Sequence, residues 1–175
     1  MRNVPVLASA RLRLRPRTVE DAEALFPTLS DPHAMTYWSH APYETVEAVR
    51  ASFVEGEGSW RAWSITLPTD DTAIGFVAAG EKRPGVREIG YVLARAHGGA
   101  GLAREAVACV IDHLFVTEGQ RRVFADTDPD NVRSNALLKA LGFTLEGRLR
   151  GEWETHIGVR DTFLWGLLAT EWIDR

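Results

Sequence analysis

The segment over residues 88–107, EIGYVLARAHGGAGLAREAV, constrains the fold more than any other part of the chain. Its first six residues are nearly all apolar, which is typical of a strand covered on both faces. Gly98, Gly99 and Gly101 then separate this strand from a helical run. The first amide N–H groups of a helix lack partners and lie at the positive end of its dipole. The segment is therefore either a plain turn or a cradle for an anion, and its glycines alone leave both interpretations open.

The other hydrophobic patterns predict an α/β fold with a mixed sheet (α+β in character), in the order β-α-α-β-β-β-α-β-α-β-β. Residues 60–67 and 72–80 alternate as strands do, and with 88–93 they form a meander that must be antiparallel. The two strand–helix–strand units of the second half can form parallel pairs, with helices on both faces of the sheet. Segments 143–154 and 159–172 are predicted to be two long final strands, on which Trp153, Trp165 and Trp172 pack.

The composition sets limits on the class of protein. A length of 175 residues suits one domain over residues 1–175, and 45% hydrophobic with 25% charged residues is ordinary for a globular chain. A net charge of −4 without a long basic run argues against nucleic acid as a partner. The five histidines show no metal-ligand spacing, so no metal is predicted. With a single cysteine, Cys109, and no long apolar run, we expect a cytoplasmic protein without a membrane partner.

A second candidate segment, DTDPDNVRSNALLKALGF, follows the next predicted strand. Asn131 and Ser134 lie one turn apart on one face at the start of a helix, where they are either capping residues or part of a site. Known nucleotide motifs are absent from the glycine segment. The Lys-Ser/Thr pair of a Walker A loop is missing, and Arg104 occupies the third glycine position of the dinucleotide fingerprint.

Together the two segments resemble the GNAT superfamily of acyl-CoA-dependent N-acetyltransferases. The family's pyrophosphate loop is Arg/Gln-x-x-Gly-x-Gly/Ala. In this chain the six positions of the pattern are Gly98, Gly99, Ala100, Gly101, Leu102 and Ala103. Gly98 departs from the Arg/Gln of the first position, and the other five residues follow the pattern. The strings RLRLRPRTVEDAEALF, NVRSNALLKALGF and VRDTFLWGLLATEW resemble the branch that includes ribosomal-protein N-terminal alanine and serine acetyltransferases. The resemblance covers roughly residues 10–172.

The resemblance implies transfer of an acetyl group from acetyl-CoA, as co-substrate, to a primary amine by direct attack in a ternary complex. The acceptor is either a protein N-terminal α-amine or a small-molecule amine. The family also implies which residues hold acetyl-CoA. They are the glycine loop with the neighbouring His97, the strand residues Tyr91, Val92 and Leu93, and the pair Asn131 and Ser134.

Amine attack requires a proton acceptor, and the family places carboxylates at two positions that match Glu88 and Asp126. Both stay open as the base. The family's usual acidic tyrosine falls on Leu138, so the branch points to Ser134 as the group that assists the leaving thiolate. Tyr37 and Trp38 are the predicted acceptor contacts. The alternative function is a catalytically inactive acyl-CoA-binding or sensing module of the same fold, and the sequence leaves monomer and homodimer equally open.

Overall fold

A mixed sheet runs through residues 4–55 and 60–173, the part of the chain that this computed structural model describes. Its strands within that part are β1 (Leu7–Ala8), β2 (Arg13–Pro16), β3 (Trp60–Leu67), β4 (Asp70–Arg83), β5 (Val86–Leu93), β6 (Arg122–Thr127), β7 (Thr144–Thr155) and β8 (Gly158–Leu168). They lie side by side in the order β1-β2-β3-β4-β5-β6-β8-β7. The predicted meander is confirmed because β3, β4 and β5 pair antiparallel, and β5 pairs parallel with β6 across a helical crossover.

Helices cover both faces of this sheet, as the mixed α/β prediction required. The helices are α1 (Asp21–Leu29), α2 (Pro32–Met35), α3 (Val46–Glu55), α4 (Leu102–Asp112), α5 (Val132–Ala140) and α6 (Ala169–Ile173). One core joins α1–α3 to a face of the sheet through residues such as Leu25, Val49 and Phe76. A second core joins α4 and α5 to the opposite face through residues such as Ile111 and Leu138.

The predicted pairing of the last strands is wrong in one respect. The second strand–helix–strand unit does not form a parallel pair, because β8 lies between β6 and β7 and is antiparallel to both. Residues such as Trp165 and Leu167 are buried on β8, whereas β7 is exposed along nearly its whole length. The apolar strand therefore takes the interior place, and the polar strand becomes the edge.

Three short elements extend the predicted order. Leu7–Ala8 pairs with β2 as an additional strand, and residues 169–172 begin a helix where the final strand was expected to continue. Helix α2 is the third of these short elements. Its first-turn Pro32 and the Asp31 side chain, which accepts a hydrogen bond from the His33 N–H at 3.0 Å, are ordinary helix-start signals.

Strands β5 and β6 separate soon after they meet. Within the described residues they pair at three positions, and Glu88 opposite Phe124 is the last. Beyond that point β5 remains paired with β4 as far as Leu93, and β6 remains paired with β8 as far as Thr127. The two strands therefore diverge inside the sheet and leave a gap between them.

Candidate active site

The gap between β5 and β6 opens into a cavity of about 1040 Å³. Seven of the residues predicted from the sequence to form the site line it together: Tyr37, Trp38, Glu88, Tyr91, Asp126, Asn131 and Ser134. They come from separate parts of the chain, and the diverging strands bring them to one place.

Two carboxylates meet at the point where the strands separate. The Glu88 side chain is 14% exposed and its Oε2 lies 2.7 Å from Lys82 Nζ. Burial raises the pKa of Glu88; the Lys82 ammonium opposes this shift and the nearby Asp126 carboxylate adds to it. Asp126, on β6, accepts a hydrogen bond from Trp153 Nε1 at 2.9 Å. The pair thus presents a carboxylate of increased basicity to the cavity.

Lys82 is held in place by an aromatic ring as well as by Glu88. Its Nζ lies 5.3 Å from the centre of the Trp60 ring, within the range of a cation–π contact. The Trp60 ring can lie there because it packs on Gly80, where an added Cβ would come within 2.6 Å of it. Trp60, Gly80 and Glu88 occupy paired positions across β3, β4 and β5. The sheet register therefore fixes the ammonium beside the carboxylate.

Ser134 lies in the first turn of α5 and contacts the opposite strand. Its N–H donates to Asn131 Oδ1 at 3.2 Å, so Asn131 caps the helix while also lining the cavity. Ser134 Oγ lies 2.7 Å from Tyr91 Oη. Burial raises the pKa of Tyr91 to about 12, against the effect of the Ser134 hydrogen bond. Leu138, at the family's usual tyrosine position, is fully buried in the core and has no polar atom to offer.

The glycine loop has free backbone donors. His97 and Gly98 donate their N–H groups to Ala94 and Arg95 within a short turn. In the part of the chain that the structure describes, the N–H groups of residues 99–103 donate to no protein acceptor.

The conformation of the same loop leaves room for a ligand. Gly99 and Gly101 have positive φ values of 84° and 77°, and an added Cβ at Gly99 would meet nothing within 4 Å. Arg11 Nη1 donates a hydrogen bond to the Ala100 carbonyl oxygen at 2.9 Å and thereby helps to fix the loop. Exposed donors at a helix N-terminus suit a diphosphate.

The structure places this loop outside the cavity lining. Val92 is buried against the α1–α3 core and Leu93 packs on the other core, so neither side chain lines the cavity. The loop follows the far end of β5, and a ligand with an anionic end and an extended arm could contact the loop and the strand edge at once.

Aromatic side chains form the wall of the cavity nearest α1–α3. This aromatic wall consists of Tyr37, Trp38, Phe53, Trp60 and Phe76. Tyr37 is 38% exposed, whereas Trp38 is half-buried and meets Phe76 edge-on at 6.0 Å between centroids. Trp38 therefore closes the core and lines the cavity, while Tyr37 lies at the cavity mouth.

Three contributions to the site were missed by sequence reasoning: Lys82, the Tyr91 phenol and Trp153. Trp153 was predicted to pack, but it is 44% exposed and binds Asp126. The Tyr91 phenol had a recognisable signal, since alternation along β5 places it with Ile89 on the face towards α5. Lys82 lies just before Glu88 in the β4–β5 hairpin, so the pairing of that hairpin could have indicated it. Trp153 carried no such signal, because it reaches Asp126 from a strand distant in sequence.

No group of three or more His, Cys, Asp or Glu side chains among the described residues is arranged to hold a metal ion. None of the described helices combines the length and the apolar character needed to cross a membrane.

Comparison with known proteins defines the class to which this fold and site belong. Residues 11–144 match the model of the acetyltransferase (GNAT) domain. The chain is 33% identical over 173 residues to the uncharacterised N-acetyltransferase p20 of Bacillus licheniformis, covering 95% of this chain and 97% of that one. The chain therefore belongs to the GNAT acetyltransferase family and is an acetyl-CoA-dependent N-acetyltransferase, which confirms the resemblance noted in the sequence.

Two further comparisons bear on the branch and the fold. The chain is 33% identical over 75 residues to the [ribosomal protein uS5]-alanine N-acetyltransferase of Escherichia coli, which covers 39% of each chain. The spermidine N-acetyltransferase of Vibrio cholerae, solved in complex with CoA and spermine, shares the fold with a TM-score of 0.83 at 20% identity. That match covers 94% of this chain and 99% of the other.

Proposed function

We propose that the protein transfers the acetyl group of acetyl-CoA to a primary amine by direct attack in a ternary complex, with Glu88 as the proton acceptor. The observation that carries this proposal is the largely buried Glu88 carboxylate beside Lys82 and Asp126, at the point where β5 and β6 diverge. A carboxylate of raised basicity beside a cleft can take the proton from the attacking amine.

Acetyl-CoA would bind along β5 and its glycine loop. The free amides of residues 99–103 suit the diphosphate, and His97 and Gly98 lie at the edge of the same loop. The backbone of residues 91–93 offers an unpaired strand edge for the extended arm, in the manner of an added strand. Asn131 and Ser134 line the other side of the gap. The co-substrate supplies an activated acetyl thioester.

Glu88 takes the proton from the attacking amine, directly or through one water molecule. The new C–N bond forms, the C–S bond breaks, and the electron pair remains on sulfur. Asp126 is a neighbouring carboxylate that raises the pKa of Glu88, and the Lys82 ammonium favours the ionised form of Glu88. This division of roles assigns the base to Glu88 rather than to Asp126.

The charges around the cavity indicate the chemistry of the acceptor. The described residues that line it include four cations, Arg17, Arg61, Lys82 and Arg160, and four anions, Glu88, Asp126, Asp128 and Asp161. A polycationic acceptor needs an excess of carboxylates, which this lining lacks. Together with the aromatic wall, the balance favours an amine carried beside an apolar group. A protein N-terminus, as in the uS5-alanine relative, or a small apolar amine fits this description.

An acceptor panel monitored by release of the CoA thiol tests the proposal. We expect peptides with an N-terminal alanine or serine, or small apolar amines, to be acetylated faster than spermidine. Glu88→Gln should lower kcat at least about 100-fold, the usual contribution of a general base, without loss of acetyl-CoA binding. Glu47→Gln, a change on the exposed side of α3, is the matched control. Equal rates for Glu88→Gln and the wild type would remove Glu88 from the mechanism.

The sequence left an inactive acyl-CoA sensor of the same fold as the alternative, and the match to N-acetyltransferases over most of the chain argues against it. Thiol release with any amine of the panel, which also includes polyamines and aminoglycosides, would exclude the sensor.

A further inference from the structure

The Tyr91 phenol is a partly buried titratable group with no part in the mechanism above. We propose that Tyr91 is a positioning residue: it donates a hydrogen bond to Ser134 Oγ and thereby directs the Ser134 hydroxyl hydrogen to the sulfur of the departing thiolate. This inference rests on the proposed function, because it assumes that coenzyme A leaves from this cavity.

The contact between Tyr91 and Ser134 can run in either direction, and acidity favours Tyr91 as the donor. The distance of 2.7 Å between Tyr91 Oη and Ser134 Oγ is ideal for an O–H···O hydrogen bond. The second contact of the phenol, to the Ser134 carbonyl oxygen, is longer at 3.4 Å. A phenol is a stronger acid than an alkyl hydroxyl, and burial keeps this one protonated at neutral pH. We accordingly take Tyr91 as the donor and Ser134 Oγ as the acceptor.

Ser134 then has one hydrogen left to give. In the described part of the chain its hydroxyl has no side-chain partner other than Tyr91. Its backbone is fixed by the bond to Asn131, and it lies in the first turn of α5, where the helix dipole favours a negative charge. The remaining hydrogen is thus available to an anionic acceptor in the cavity.

The bonds and protons balance without a proton from either hydroxyl. The amine nitrogen bonds to the acetyl carbon, its proton passes to Glu88, and the C–S electron pair stays on sulfur. The thiolate accepts a hydrogen bond from Ser134 and later takes a proton from water. Tyr91 and Ser134 keep their hydrogens, which agrees with the high pKa of the phenol.

The test measures the pKa of the thiol of bound CoA from the ultraviolet absorbance of the thiolate, without an acceptor or turnover. Tyr91→Phe and Ser134→Ala should each raise that pKa by roughly one unit, as expected when one hydrogen bond to a charged group is lost. The double variant should match Ser134→Ala, because Tyr91 acts only through Ser134. The four cations and four anions of the cavity lining named above are unchanged in every variant.

Two controls separate positioning from structure. Tyr43→Phe removes another phenol from the same cavity without contact to Ser134 and should leave the thiol pKa unchanged. Replacement of Tyr91 by a fluorinated tyrosine keeps the ring and strengthens the donor, so it should lower the thiol pKa. In turnover, Tyr91→Phe should lower kcat about tenfold with little change in the KM for acetyl-CoA.

A thiol pKa that stays at the wild-type value in Tyr91→Phe but rises in Ser134→Ala would overturn the role of Tyr91. Additive effects in the double variant would also overturn it. If Tyr91→Phe does not fold, the response to the fluorinated tyrosine decides the question. A wild-type protein that fails to bind CoA or to transfer acetyl groups would instead refute the proposed function.

Discussion

At the scale of single residues, the site depends on how Lys82 and Asp126 act on Glu88. The ammonium lies 2.7 Å from the Glu88 carboxylate and lowers the pKa of that group, whereas burial and Asp126 raise it. The base is active in its ionised form. The rate should therefore be full above the pKa of Glu88 and should fall as the pH decreases through that pKa.

Replacing Lys82 by methionine should shift this acid limb to higher pH. The ammonium that stabilises the ionised Glu88 is then lost, so the pKa of Glu88 rises further. The pH dependence of kcat/KM measures the shift. Lys82→Arg keeps the positive charge and is the matched control. An unchanged acid limb in Lys82→Met would show that another group controls it.

Sequence reasoning named Glu88, Asp126 and Ser134, and the structure places all three in one cavity. It left the choice between the carboxylates open because basicity depends on burial and on neighbours from other strands. Lys82 belongs to the same hairpin as Glu88, whereas Trp153 comes from β7 and no local pattern indicates its contact with Asp126. Spacing along the chain predicts helix faces, but it does not predict which distant side chains meet.

At the scale of secondary-structure elements, a buried ion pair joins the end of β2 to the start of α1. Arg15 forms two hydrogen bonds with Asp21, at 2.7 and 2.8 Å. The Thr18 N–H and the Ser64 hydroxyl also donate to Asp21. Burial alone would raise the pKa of Asp21, but these hydrogen bonds bring it below its ordinary value. Asp21 thus stabilises the fold as an anion.

Replacing Asp21 by asparagine should lower the free energy of unfolding by roughly 3 kcal/mol at neutral pH, as expected when a buried pair is broken. The stabilisation from Asp21 is complete above its unfolded pKa of about 3.9 and is lost as the pH falls through the lower folded pKa. The difference from the wild type should therefore shrink in acid. Urea unfolding at several pH values measures it.

Asp71→Asn is the matched control for this change. Asp71 binds the same arginine at 2.9 Å, but its side chain is 62% exposed. Its loss should cost less than about 1 kcal/mol. A cost equal to that of Asp21→Asn would contradict the importance of burial.

The glycine loop gives a second test at this scale. Gly99→Ala forces a side chain into the left-handed region and should cost about 1–2 kcal/mol of stability. It should also weaken acetyl-CoA binding, because the Cβ enters the space in front of the free amides. Gly119→Ala carries the same backbone cost at φ 65°, far from the loop in sequence, and should leave the affinity unchanged. Calorimetric titration of both variants measures the difference.

The elements themselves were largely predictable, because the patterns of apolar residues define most helices and strands. Which strands lie next to each other in the sheet was less predictable. Residues 143–154 and 159–172 both look like strands, and only the burial of residues such as Trp165 and Leu167 decides that β8 lies beside β6. Which of the two strands lies beside β6 depends on the packing of α4 and α5, and the periodicity of a strand gives no information about that packing.

At the scale of the whole molecule, ligand binding should be visible in the stability of the fold. Acetyl-CoA at 100 times its dissociation constant should add about 2.7 kcal/mol to the free energy of unfolding and raise Tm. ATP is the control and should have no such effect at the same concentration. No change with acetyl-CoA would contradict binding at the glycine loop and β5.

The short seam between β5 and β6, three paired positions long, also affects how stiff the sheet is. Two portions of the sheet meet there and are otherwise joined through the core beneath α4 and α5. An extended ligand that is hydrogen-bonded along the unpaired edge of β5 would hold the two portions of the sheet rigidly together. Amide hydrogen exchange would then slow in both β5 and β6, and the protein would be most rigid while it holds its co-substrate.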